Sequence, residues 1–201
     1  MKSRMLLIVG LISIAAGGCG GTKTTNIDIL HDDGKAVMAL DYRDFDRAAS
    51  EMVQSLLSSG ALKKKDGSRY VVATGRIIND TMQRIDTDQL MAKIEDELMN
   101  SGQVVMSSAV GSGTDKLIHE MRELRDSEEF DQSTIGKRGT LIAPELTISG
   151  KIFQRNLRYD SKRQQVEYYF QLKLSDTTTG LRYWQKETII GKRGSNKSVA
   201  W

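Results

Sequence analysis

Apolar residues along this chain follow three successive patterns. An almost unbroken apolar run occupies residues 5–16, and a polar, glycine-containing stretch follows it to about residue 35. Between residues 41 and 128 the apolar positions recur every three or four residues, which predicts amphipathic helices. From residue 146 to about residue 190 they alternate with polar residues, which predicts strands. The pattern therefore predicts a helical first half and a sheet-forming second half.

Two long helices are predicted in the first half. The first begins at Asp41 or Asp44, whose carboxylate accepts bonds from free backbone N–H groups, and ends before Gly60. The second begins at Asp86 or Thr87. Their inward positions are Phe45, Ala48, Ala49, Met52, Val53, Leu56 and Leu57 in the first, and Leu90, Met91, Ile94 and Leu98 in the second.

A third helix and two short strands complete this half. The helix is predicted from Thr114 to Glu128, with Leu117, Met121 and Leu124 facing inward. Short buried strands are predicted at residues 70–74 and 103–106, so helices and strands alternate.

Three antiparallel strands are predicted to follow. Polar turns at residues 160–163 and 176–180 separate them and make a meander. In the first of these strands the apolar residues change from even to odd positions at Phe153, which predicts a bulge near Ile152. The predicted fold is α/β (α+β), a mixed sheet flanked by helices that ends in a three-stranded antiparallel meander. One domain is expected over residues 36–201.

The first 18 residues read as a lipoprotein signal peptide. Lys2 and Arg4 precede the apolar run, which is too short to span a bilayer, and small residues lead up to the single cysteine, Cys19. Cleavage is predicted between Gly18 and Cys19, which then carries the lipid anchor. A buried structural thiol is the alternative interpretation of a lone cysteine. Gly20 in the position after the cysteine favours transport to the outer membrane, with the protein facing the periplasm.

Residues 19–35 are interpreted as the lipidated N-terminus and a short tether. This stretch is polar and lacks aromatic residues. It spans at most about 58 Å when extended and about 23 Å on average as a flexible chain. An edge strand at residues 26–30 is the alternative.

Composition narrows the classes of function. The chain has 29 basic and 26 acidic residues, and removal of Lys2 and Arg4 brings these counts closer, so nucleic-acid binding is not indicated. Only His31 and His119 are available as histidines, and neither lies in a zinc-binding spacing. The many carboxylates lie on predicted helix faces turned to solvent, and the glycines at 111–113 lack the pattern of a phosphate loop. We therefore expect no enzyme activity, no metal, no cofactor and no small-molecule substrate.

A basic and aromatic patch is the candidate binding surface. Tyr169 falls on the polar side of its strand, and Arg155, Arg158 and Arg163 lie on the neighbouring hairpin. Aromatic residues beside arginine are frequent anchors in protein interfaces, so the patch suits an acidic partner domain. The alternative is that Tyr169 packs under a helix. The motif GKRG, at residues 136–139 and 191–194, is interpreted as two basic surface turns.

Four stretches of the sequence together resemble the LpoB family of penicillin-binding-protein activators. They follow one another from about Asp41 to Trp184 and read ALDYRDFDRAASEMVQSLL, VVATGRIINDTMQRIDTDQLMAKIEDEL, LTISGKI and YYFQLKLSDTTTGLRYW. The most diagnostic motifs are N-D-T at Asn79–Thr81 and L-x-L-x-D-x-x-x-G just before Tyr183.

The resemblance implies an outer-membrane lipoprotein that binds a class A bifunctional peptidoglycan synthase and stimulates glycan polymerisation and crosslinking. It also implies a fold similar to the N-terminal domain of TolB. Enterobacterial members have a long proline-rich tether, whereas this chain has one proline, Pro144. The short tether favours the alternative function, a scaffold lipoprotein of an envelope-spanning secretion or flagellar-associated assembly, which related CsgG-like lipoproteins also suggest.

Overall fold

The computed structural model describes residues 26–29, 34 and 36–197. The predicted signal peptide and Cys19 lie outside the described residues. Residues 26–29 contain no strand. The elements are α1 (Tyr42–Ser59), β1 (Tyr70–Asp80), α2 (Thr87–Asn100), β2 (Val104–Met106), α3 (Lys116–Glu123), β3 (Leu146–Arg158), β4 (Arg163–Asp176) and β5 (Arg182–Ser195). This order confirms the predicted one.

The described strands form a mixed sheet of five, in the order β2-β1-β3-β4-β5. β1 runs parallel to β2 and to β3, while β3, β4 and β5 are joined by antiparallel pairing. The predicted α+β class and the predicted antiparallel meander are both confirmed. β2 and β5 lie at the two edges.

Local polar contacts explain where α1 begins and ends. The Asp41 carboxylate accepts bonds from the backbone N–H groups of Arg43 and Asp44, at 3.0 and 3.3 Å, and the Asp44 carboxylate accepts from Asp41 N at 2.9 Å. This reciprocal arrangement is a capping box. Gly60 ends the helix with φ 79°, a conformation that favours glycine.

Helices α1 and α2 pack on one face of the sheet. Alternate residues of β4 are buried against them: Val166, Tyr168, Phe170, Leu172 and Leu174. Phe45 of α1 meets Phe170 edge to face, with ring centroids 6.0 Å apart. We call the opposite face of β3, β4 and β5 the outer face. It carries the odd-numbered residues 151–157, 165–173 and 185–193.

The start of the domain is held to the sheet by polar contacts. The buried Tyr168 hydroxyl donates to the Met38 carbonyl oxygen at 2.9 Å and accepts a bond from the Gln83 side-chain amide. Burial raises the pKa of Tyr168 to about 12. Lys192 Nζ donates to the Ala39 carbonyl oxygen at 2.7 Å. Residues 38–40 are therefore fixed against β4 and β5.

The two diagnostic motifs are turns. In the N-D-T motif, Asn79 Oδ1 accepts bonds from Thr81 N at 3.1 Å and Thr81 Oγ1 at 2.8 Å. These bonds form a turn at the end of β1. In the second motif, Asp176 Oδ1 accepts from Thr178 N at 2.9 Å and Thr179 N at 2.7 Å, and closes the β4–β5 hairpin. Both motifs therefore have a structural role in this chain.

The predicted bulge near Ile152 is wrong. The pairing of β3 with β4 is continuous from Leu146 to Arg158, and the irregularity in the pairing of β1 with β3 lies on β1, between Thr74 and Ile77. The apolar residues change parity at Phe153 because the second half of β3 places apolar side chains on the outer face as well. The strand itself is not interrupted.

Helix α3 and the second GKRG stretch also differ from prediction. α3 has 8 residues, and Leu117 and Met121 are 56% and 46% exposed instead of buried. Polar contacts orient the helix, since Arg122 bonds to the Lys137 carbonyl oxygen and His119 Nε2 lies 2.7 Å from the Ala109 carbonyl oxygen. Residues 191–194 are the end of strand β5, not a surface turn.

Candidate protein-binding surface

An aromatic pair occupies the centre of the outer face. Phe153 of β3 and Tyr169 of β4 are directly opposite in the register, and their rings stack with centroids 4.7 Å apart and planes 4° from parallel. Ile189 of β5 continues the row next to Tyr169 and is 49% exposed. The result is a short apolar row across three strands, on the face that α1 and α2 leave uncovered.

Arg155 lies over this aromatic pair. Its guanidinium carbon is 5.3 Å from the Tyr169 ring centroid and 6.0 Å from that of Phe153. These distances suit a cation–π contact. Arg155 is exposed and lies opposite Glu167 in the register of β3 with β4. It therefore presents its charge to solvent from a fixed aromatic base.

A carboxylate sets the position of the tyrosine. The Tyr169 hydroxyl donates to Glu167 Oε2 at 2.7 Å, and the Gln165 side-chain amide donates to Glu167 Oε1 at 2.7 Å. The Tyr169 bond, with help from Gln165 and the charge of Arg155, lowers the pKa of Glu167. The same bond to Glu167 raises the pKa of Tyr169. The hydroxyl thus stays protonated and oriented at neutral pH.

A second cluster lies at the hairpin end of the same face. The guanidinium carbon of Arg193 is 3.7 Å from the Tyr159 ring centroid, and that of Arg163 is 4.9 Å away. Arg163 Nε also donates to Asp160 Oδ2 at 2.7 Å. Backbone N–H bonding from Lys162 and the side chain of Arg163 lower the pKa of Asp160. Part of the positive charge of this cluster is therefore compensated.

The four residues of the predicted basic and aromatic patch lie in three different places. Arg155 and Tyr169 lie together, and Arg163 belongs to the second cluster on the same face. Arg158 is opposite Gln164 in the register. It lies three residues, an odd number, after Arg155, and successive side chains of a strand alternate between faces, so Arg158 points to the opposite side of the hairpin. Tyr169 does not pack under a helix, because its strand turns the even-numbered residues to α1 and α2.

The prediction missed four residues of this surface. They are Phe153, Tyr159, Ile189 and Arg193. A signal for two of them was present, because Phe153 and Tyr159 share the odd numbering of Arg155 along β3. Reading the parity change as a bulge concealed that signal. The other two depend on the register between β4 and β5, and an irregularity in that pairing between Leu174 and Ser175 changes the count of residues across the turn.

The chemistry of the surface suits binding by stacking and charge. Among the residues that the structure describes, no three histidine or acidic side chains are grouped so that they could hold a metal ion. No helix in this part of the chain is both long and apolar enough to cross a membrane. The surface combines a rigid apolar centre with an exposed arginine, which are features of protein interfaces.

Comparison with known sequences identifies a protein family. The family model described as peptidoglycan-synthase activator LpoB matches residues 44–190. No curated protein matches the chain.

Solved structures with a similar fold were also found. The LpoB C-terminal domain from Salmonella enterica is 12% identical, with TM-score 0.44, and the match covers 73% of this chain and 98% of that one. The Escherichia coli domain is 13% identical with the same TM-score and coverage. Lipoprotein GNA1162 from Neisseria meningitidis is 10% identical, with TM-score 0.36, and the match covers 65% and 86%.

Proposed function

The chain belongs to the family of the peptidoglycan-synthase activator LpoB, and we propose that it binds and activates a class A bifunctional penicillin-binding protein. The observation that carries the proposal is the family match, which runs from the first turn of α1 to Ile190 in β5. Activation requires no catalytic group on this chain. A protein that binds the active conformation of a synthase more tightly than the inactive one shifts the synthase toward activity.

The proposal includes an anchor at the outer membrane. Cys19 becomes the lipidated N-terminus after cleavage behind Gly18, and the domain faces the periplasm. Two or more acyl chains hold a protein on a membrane where a single chain is marginal. The tether of about 16 residues keeps the domain near its anchor, so the synthase must extend toward the outer membrane.

The outer face is the proposed docking surface. Its stacked Phe153 and Tyr169 need no ordering on binding, because their partners already hold them, and preorganised side chains lose less entropy in an interface. Arg155 adds a positive charge that attracts an acidic partner surface. Arg163 and Arg193 extend the same face toward the hairpin.

The direct test is an activity measurement. The full-length lipidated protein in detergent is mixed with a purified class A synthase of its own cell and a lipid-linked precursor, and glycan polymerisation and crosslinking are followed. We expect the synthase rates to rise severalfold and the protein alone to be inactive. Unchanged synthase rates at saturating protein would refute the activator role.

A second test identifies the partner in the cell. A photo-crosslinking amino acid at position 155 captures the molecule that meets the outer face, and the same group at position 65, in an exposed loop, is the control. A class A synthase captured from position 155 only supports the proposal. Capture of secretion or flagellar-associated ring components would favour the scaffold function instead.

A further inference from the structure

Strand β5 forms one long edge of the sheet. In the described part of the chain, its 14 residues pair with β4 alone. No proline interrupts it. Among the described residues, no backbone group from outside the sheet bonds to the backbone of β5. An edge of this kind presents a row of free N–H and C=O groups to any extended chain that reaches it.

A cleft borders this edge. It has a volume of about 310 Å³ and lies between residues 36–38, the beginning of α1 and residues 190–193 of β5. Arg43 and Arg47 of α1 line it. One turn further along the helix, Glu51 pairs with Lys186 of β5 at 3.5 Å. One row of α1 side chains therefore runs beside the edge from residue 43 to residue 51.

The charge at this edge is positive. β5 contributes four basic residues against one acid: Arg182, Lys186, Lys192 and Arg193 against Glu187. Two of these are compensated: Lys186 pairs with Glu51, and the ammonium group of Lys192 contacts Asp44 and lies 3.8 Å from Asp41. Arg47 is exposed and forms no ion pair with a described residue. It gives the cleft an available positive charge.

These charges discriminate between two occupants. A second copy would place side by side two edges that each keep Arg47 and Arg182 against Glu187, and like charges across neighbouring strands are unfavourable. An extended acidic segment gains the same backbone bonds and meets opposite charge. In strand addition the main chain supplies affinity, and side chains at the edge supply selectivity.

We propose that the free edge of β5 binds an extended acidic segment of a partner protein, which adds a sixth strand to the sheet beside Arg47. Arg47 selects for acidic side chains in that segment. This site goes beyond the proposed activator function, because it uses a different surface from the aromatic outer face and does not depend on the partner being a synthase.

The test is residue-level hydrogen exchange, measured by NMR on the full-length protein in detergent. The probe is a ten-residue synthetic peptide of alternating Glu and Thr, and the control peptide has Lys in place of Glu. Strand addition engages the outward N–H of every second residue. We therefore expect the Glu peptide to slow exchange at alternate amides of residues 184–191, and the Lys peptide to have no effect.

Two substitutions complete the test. Arg47→Glu should weaken binding of the Glu peptide about tenfold, as expected for a charge pair at the rim of an interface. Lys65→Glu, in an exposed loop, should leave the affinity unchanged. The proposal is overturned if the Glu peptide gives no alternating protection, or if Arg47→Glu binds it equally well. Protection that depends on protein concentration without peptide would also overturn it, in favour of a second copy.

Discussion

The two faces of the sheet differ in what their side chains do. On the helix face, Phe170 is 1% exposed and packs against α1. On the outer face, the preceding residue, Tyr169, stacks on Phe153 and remains in contact with solvent. Both faces carry aromatic residues on the same strand, so aromatic content does not separate them. The difference is that α1 and α2 cover one face only.

This difference separates stability from recognition. A side chain removed from water on all sides contributes to folding through its whole apolar surface, about 25 cal/mol per Å². A side chain that keeps one side in solvent retains apolar area that a partner can bury later. The outer face therefore combines a fixed geometry with unused apolar surface. We infer that substitutions on the two faces will affect different measurements.

The largest expected effect is on the helix face. Phe170→Ala should lower the free energy of unfolding by about 3 to 5 kcal/mol, because it leaves a cavity against Phe45. Tyr169→Ala, one residue away, should cost less, about 1 to 2 kcal/mol, since its contacts with Phe153, Glu167 and Arg155 lie beside solvent. Urea unfolding of both variants measures the contrast. Equal losses would mean that the outer face is buried in solution, contrary to the structure.

Gly150 and Gly191 test whether tight packing is confined to the interior of the sheet, because an added methyl group would meet neighbouring atoms at one position only. A Cβ at Gly150 would lie 2.4 Å from the Gln171 carbonyl oxygen and 2.8 Å from Leu172 Cδ2, whereas a Cβ at Gly191 would meet nothing within 4 Å. Gly150→Ala should therefore destabilise the protein by about 1 to 3 kcal/mol, because β3 and β4 must separate.

Gly191→Ala is the matched control within the same sheet. Its extra methyl group enters open space on the outer side of β5, so the urea midpoint should stay within the scatter of repeated measurements. If Gly150→Ala were equally neutral, the tight approach of β3 to β4 at that position would be contradicted.

The sequence was sufficient for the framework of the fold. The caps at Asp41 and Asp86, the buried stripes of α1 and α2 and the turn at residues 176–180 all follow from local rules, and the structure confirms them. These features depend on side chains within a few residues of each other, where period and capping chemistry are specific.

The sequence alone did not predict which face of a strand or helix is buried when that depends on contacts with another element. A change of the apolar residues from even to odd positions at Phe153 is expected both for a bulged strand and for a regular strand with apolar residues on both faces. Only the continuous pairing with β4 distinguishes the two. Leu117 and Met121 form a helical stripe that predicts burial, yet the contacts of Arg122 and His119 turn it outward. Tertiary contacts decided both cases.

The pH dependence of stability allows a further comparison between the two faces, using the carboxylates of Asp41 at the start of α1 and Glu167 on the outer face. Burial alone raises the pKa of Asp41, but the bond from Arg43 and the charge of Lys192 outweigh burial and lower it below the ordinary value. The contribution of Asp41 to stability is complete above its unfolded pKa, about 4. It is lost as pH falls through the lower folded pKa.

Asp41→Asn should therefore flatten the acid limb of the stability curve below about pH 4, while an asparagine retains the helix cap. Glu167→Gln is the control on the outer face, where its lowered pKa arises from bonds to Tyr169 and Gln165 beside solvent. Screening there reduces its effect on stability, so the control should change the acid limb less. The measurement is urea unfolding between pH 2.5 and pH 7 by circular dichroism.

The smallest effect on stability is expected at Arg155, where the effect on binding should be the most informative. Arg155 is exposed and lies opposite Glu167 in the register of β3 with β4, so Arg155→Glu replaces an attraction by a like-charge pair and should lower the free energy of unfolding by about 0.5 to 1 kcal/mol. If the outer face docks an acidic partner, the same change should reduce synthase stimulation several-fold, because it replaces attraction by repulsion.

Arg158→Glu supplies the control that gives this result its meaning. The two arginines are three residues apart on one strand and carry the same charge, but they point to opposite sides of the hairpin. Non-specific electrostatic attraction predicts equal losses from both substitutions, whereas docking on the outer face predicts a loss at residue 155 alone. A loss confined to residue 158 would place the partner on the opposite side of the hairpin, and the stacked aromatic pair would then have no part in recognition.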